Sequence, residues 1–103
     1  MTAGLSLKDE ELALVRQILR AHLPDSATVH AFGSRTTGRA KPWSDLDLVI
    51  DAGSALSLDC LAQLAEAFDE SALPWKVDLV DRANVSSEFA TLIDAAKIAV
   101  TQP

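Results

Sequence analysis

"HAFGSRTTGRAKPWSDLDLVID", residues 30–51, decides how this chain is to be read. A Gly-Ser pair closes one apolar run, and some ten residues later Asp45-Leu46-Asp47 opens another. Strand alternation constrains the second run. Asp45, Asp47 and Val49 share one face, and the aliphatic set Leu46, Leu48 and Ile50 shares the other and must face the core. Two carboxylates are then held roughly 6.5–7 Å apart at ~3.3 Å per residue. At an effective dielectric near 20 their repulsion is about 2–2.5 kcal/mol, and aspartate is a poor strand former. A divalent cation resolves the conflict, because Mg²⁺ takes one or two carboxylates and leaves its other positions to phosphate and water. Taken alone, an Asp-x-Asp on a solvent-facing strand is the commoner reading.

The turn upstream shifts that balance. Phe32-Gly33-Ser34-Arg35 follows a strand directly, and Gly33 can take a positive φ or let backbone approach a ligand closely. Ser34 offers a hydroxyl and an N–H, and a short helix beginning there would turn free N–H groups toward an anion. Gly-Ser is by itself a common turn pair. A third carboxylate lies in "WKVDLVD", where Asp78 projects from mid-strand between apolar neighbours and needs a partner. Asp78 is preferred to Asp81, which falls at the strand's end, where a turn-forming Asp is ordinary.

Outward from these strands the chain reads as one α/β (α+β) layer structure, 1–103, with a small sheet covered by helices. The 103 residues suit a single domain with one core. Ser6, with Asp9 three residues on, is expected to cap a first helix whose Leu12, Val15 and Leu19 repeat on one face and which Pro24 ends. Strands are expected at Thr28–Phe32, Asp45–Ile50 and Trp75–Val80. Helices are expected at Ser57–Ser71, with Leu58, Leu61, Ala65 and Phe68 in one stripe, and at Ser86–Ala96, with Phe89, Leu92, Ile93 and Ala96 in another. The tail "KIAVTQP" reads equally as an edge strand or a docking segment.

Composition narrows the function. The net charge of −6 argues against non-specific binding to nucleic acid or an anionic membrane. No run approaches the ~18 apolar residues of a membrane span, and no signal pattern opens the chain. The lone Cys60 permits no internal disulfide, reads as buried filler, and makes a reducing cytoplasm the expected location. Arg35, Arg39 and Lys41, three of nine basic residues, stand beside the Gly-Ser turn and suit a phosphate-facing loop. His22 reads as a helix C-cap, His30 as a strand histidine rather than a ligand, and Trp43 and Trp75 as packing rather than adenine-stacking groups.

Gly33-Ser34, Asp45-Leu46-Asp47 and Asp78 together resemble the DNA polymerase β-type nucleotidyltransferases. "FGSRTTGRAKPWSDLDLVI" is similar to the minimal nucleotidyltransferases (MNT), the antitoxin halves of HEPN–MNT toxin–antitoxin pairs. The resemblance implies the polymerase β-type fold with a small mixed sheet, and transfer of AMP from ATP to a hydroxyl. Asp45, Asp47 and Asp78 would be catalytic and hold a two-metal Mg²⁺ site, with Asp78 helping to accept the proton. Gly33 and Ser34 would fix the triphosphate, and Arg35 would serve as an outer charge. With little chain left to build an acceptor pocket, the hydroxyl is expected on a partner, a tyrosine of a HEPN ribonuclease toxin encoded beside it. Two alternatives stay open: an antitoxin that masks its toxin by contact alone, and a small-molecule transferase of the aminoglycoside type.

Overall fold

The computed structural model describes residues 5–100. Helix α1 (Asp9–His22) leads into β1 (Thr28–Phe32), a 3₁₀ turn at Ser34–Thr36 and β2 (Leu46–Asp51). Helix α2 (Leu58–Asp69), β3 (Val77–Asp81), a second 3₁₀ turn (Arg82–Asn84), α3 (Ser87–Ala96) and β4 (Ile98–Ala99) follow. The sheet is mixed, in the order β3-β2-β1-β4. β1 lies antiparallel to β2 and β4, whereas β3 runs parallel to β2 after the α2 crossover. The expected small mixed sheet flanked by helices is found.

The alternation read from the sequence sets the two faces. Leu46, Leu48 and Ile50 of β2, with Val29 and Ala31 of β1, are sealed against Leu12, Val15 and Leu19 of α1 and Leu64 and Phe68 of α2. Each side chain of that kind contributes roughly 1.5–3 kcal/mol by leaving water. The other face carries Phe32, Asp47, Val49 and Asp78. Helix α3 lies there, its Phe89 meeting Phe32 edge-on at 5.8 Å between ring centroids.

Several boundaries differ from expectation. Lys8, not Ser6, is the N-cap of α1, and its N–H donates to Glu11 Oε1 at 2.9 Å. Leu5 and Leu7 are both buried, which draws Ser6 into a tight strap, closed by Leu7 N–H to Leu5 O at 2.9 Å, from which Ser6 N–H donates to the Arg35 carbonyl at 2.8 Å. Ser57 and Ser86 do cap α2 and α3 through their hydroxyls. Leu58, in the first turn of α2, is 85% exposed, and Leu64 takes the core place the stripe had given it. On α3 the buried positions are Ala90 and Ile93, while Leu92 points outward. The tail supplies both of its readings: β4 pairs with β1, and Val100 docks, its N–H donating to Val29 O at 2.9 Å. Cys60 is half-buried, its Sγ 3.6 Å from the His22 carbonyl. Among the described residues, no helix is long and apolar enough to cross a membrane.

Candidate active site

The β1–β2–β3 register places Phe32, Asp47 and Asp78 in one row across the sheet, since Asp47 is the partner of both neighbours. Side chains in register on adjacent strands share a face, so the two carboxyls meet. The register sets the Asp47 and Asp78 carboxyls side by side. Asp47 is half-buried, and its carboxyl is pushed up to about 6, first by burial, then by the charge of Asp78 and hydrogen bonding with it, then by Asp45. Like charges held this close favour keeping one proton on the pair. Asp45 stands just ahead of β2 and is exposed. It acts on Asp47 through its charge. Among the described residues no three acidic, His or Cys groups are gathered as a ready metal cage. The strand face therefore brings two of the three expected carboxylates into contact and the third alongside.

Gly33 explains why the turn and the acidic strand belong together. Its φ of 81° is a left-handed conformation that glycine takes without penalty. A Cβ at this position would also collide with Asp47 Oδ2 and lie 3.3 Å from its Cγ. Backbone geometry and the approach of the carboxylate thus both exclude a side chain. The turn then closes through Thr36 N–H to Gly33 O at 3.0 Å and Thr37 N–H to Ser34 O at 3.3 Å. Neither bond uses the N–H of Ser34 or Arg35. The helix expected at Ser34 is a single 3₁₀ turn.

Arg35 departs from its expected place as an outer charge. It is buried, 5% exposed, with its guanidinium turned onto backbone carbonyls and stacked 4.5 Å over the Trp75 ring. Leu5 and Leu7 on one side and Trp75 on the other are buried, so an arginine between them is drawn inward with its apolar stem. Burial pulls its pKa below the usual value, against the opposing charges of Glu11 and Asp45. Trp43 is 72% exposed, so of the two tryptophans only Trp75 packs. Asp81, the rival to Asp78, is buried and accepts from the N–H groups of Leu56 and Ala83 and from Asn84 Nδ2. It is a structural cap. A cleft of about 1030 Å³ opens behind the loop, between the residue 5–8 strap, Thr36–Gly38 and Trp75, and none of the three aspartates lines it. The acidic row lies outside this cleft.

A glycine turn laid against an acidic pair on a small mixed sheet suits the handling of a nucleoside triphosphate, and the chain belongs to the nucleotidyltransferase domain family, which matches residues 12–100. Within that class the chain is 46% identical, over 97% of its length and 87% of the relative's, to the probable protein adenylyltransferase MntA of Haemophilus influenzae. Among solved structures it is similar to a toxin–antitoxin with AMP-PNP, at a TM-score of 0.75 and 25% identity over 89% of this chain and 73% of that one. A complex of a tri-AMPylated Shewanella oneidensis HEPN toxin with its MNT antitoxin shares the fold, at a TM-score of 0.72 and 21% identity, covering 94% and 74% of the two chains.

Proposed function

We propose that this chain, as one domain, transfers AMP from ATP to a tyrosine hydroxyl of a partner HEPN ribonuclease and so acts as its antitoxin in the cytoplasm. The observation that carries the reading is the Asp47–Asp78 pair lying against Gly33. Its weight rests also on the 46% identity to a protein adenylyltransferase. The oxygens of Asp45, Asp47 and Asp78 suit Mg²⁺, a hard cation, and the raised pKa of Asp47 marks a place where positive charge would be stabilising. When bound there, Mg²⁺ would neutralise triphosphate charge and make the attacking hydroxyl more acidic.

The chain's own groups do the rest. Gly33 and Ser34 hold the triphosphate, the missing Cβ at Gly33 letting the Asp47 carboxylate lie directly against the turn. The tyrosine oxygen attacks the α-phosphorus in line, a new O–P bond forms, and the bond to pyrophosphate breaks. Asp78, the exposed member of the pair, takes the hydroxyl proton. AMP stays on the toxin, and pyrophosphate leaves.

Incubation with Mg²⁺, α-labelled ATP and the protein encoded beside this chain tests the reading. Label is expected on that partner and is lost with Asp47→Asn. If toxicity stays suppressed without label in the double variant Asp45→Asn/Asp47→Asn, masking replaces transfer. Label on an added aminoglycoside instead makes the protein a small-molecule transferase.

A further inference from the structure

The Gly33–Ser34 turn and the flank of Asp45 must hold one triphosphate from two directions, yet the chain between Thr36 and Leu46 is irregular. The β1–β2 ladder ends at the Phe32–Asp47 pair, so beyond it something else has to hold Ser34 and Asp45 in place.

We infer that Arg35 is a positioning residue for this transfer: its main chain forms the Ser34 turn, while its side chain fixes the peptide ahead of Asp45. Nε and Nη2 both donate to the Ser44 carbonyl, at 3.0 and 2.8 Å, and that carbonyl belongs to the peptide leading into Asp45. Nη2 also lies 3.4 and 3.5 Å from the carbonyls of Pro42 and Lys41. Nη1 donates to Ser6 O at 2.8 Å, and Ser6 N–H returns a bond to Arg35 O at the same distance. One guanidinium thereby gathers the turn, the 41–44 segment and the strap ahead of α1.

The 41–44 segment also bonds to itself, in part through the Lys41 carbonyl that Nη2 reaches. Ser44 N–H donates to Lys41 O at 3.0 Å, and Lys41 N–H donates to Ser44 Oγ at 2.8 Å. Held at Ser44 O, it moves as a unit with Arg35.

Filling the space over Trp75 would not require a cation. An apolar side chain of similar length would pack there without desolvating a charge. What the planar fork adds is direction, because two parallel N–H groups on one carbonyl fix orientation as well as distance. The same engagement leaves the guanidinium poorly placed to contact ATP. Reacting groups misplaced by an ångström or so cost rates of about 100-fold, which is the scale expected when this link is cut.

The inference rests on the adenylyl-transfer reading, and its test separates the two. Arg35→Met keeps the stem over Trp75 and removes the fork. Arg35→Lys keeps the charge and removes the fork. Both are compared with wild type by thermal melting, by amide exchange at Ser44, and by kcat and KM for ATP with the partner toxin as acceptor. The expected result is faster exchange at Ser44 and a kcat lowered about 100-fold. KM for ATP should change less than about fivefold. Lys should behave like Met, which also covers the case of Met failing to fold. A lower melting temperature with exchange and kcat unchanged would make Arg35 a packing residue. A raised KM with kcat intact would return it to direct contact with the triphosphate. If wild type transfers no AMP, the functional reading fails alone, and the exchange comparison still decides whether Arg35 holds the flank.

Discussion

Leu48 and Asp47 are neighbours in β2, and their surroundings treat them in opposite ways. Leu48 is fully buried between α1 and α2, where every contact lowers its free energy. Asp47, one residue earlier, is half-buried beside a second carboxyl and within the field of a third. The aliphatic face supplies the stability that lets the acidic face keep an unfavourable arrangement. Strain of this kind gathers where a ligand is expected to relieve it.

The contrast can be broken from either side. Leu48→Ala should cause the largest loss, about 3–4 kcal/mol in chemical denaturation, through lost transfer energy and a cavity between packed layers. A loss below 1 kcal/mol would mean that the core face is not what holds the strand. Gly33→Ala comes next, at about 1–2 kcal/mol, because alanine resists the positive φ. Its functional cost should be larger, since the new methyl displaces the Asp47 carboxylate and spoils its alignment with Asp78. Retained transfer activity in that variant would separate the turn from the acidic pair.

Asp47→Asn should move in the other direction. Removing the charge relieves repulsion, so the ligand-free protein should gain about 1 kcal/mol at neutral pH, solvent screening having reduced the full effect. It should also lose the rise in Tm expected of wild type with Mg²⁺ and ATP. The pH dependence follows from the raised pKa. The folded protein holds a proton on Asp47 up to about 6, whereas an unfolded Asp releases it near 3.8. Stability from this group is therefore complete below the lower value and fades as pH rises through the higher one. The advantage of Asp47→Asn should shrink as pH falls from about 6 toward 3.8. A constant difference in Tm would show that the carboxyls do not share a proton.

What was legible in the sequence follows the range of the signal. β1 falls on Thr28–Phe32 as expected, and the two faces of β2 follow from alternation alone. Asp78, read at mid-strand, lies in register with Asp47, whereas Asp81, read at the strand's end, is a buried cap. Helix stripes were less secure, because 3.6-residue periodicity says which side is apolar but not where the helix meets the sheet. Leu58 and Leu92 are apolar residues at the right spacing that reach no core. Arg35 was misplaced for a different reason. Its partners, Ser6, Ser44 and Trp75, lie at separations with no period, and a basic residue beside a Gly-Ser turn looks the same whether it faces phosphate or carbonyls.

Among the described residues β3 is an edge strand, and its Asp78 is exposed. The acidic row therefore runs out to a rim instead of ending inside a cleft. A folded protein can bring one projecting side chain to such a rim without threading it through a tunnel. An acceptor that carries its own scaffold can therefore reach Asp78 from beyond the sheet edge.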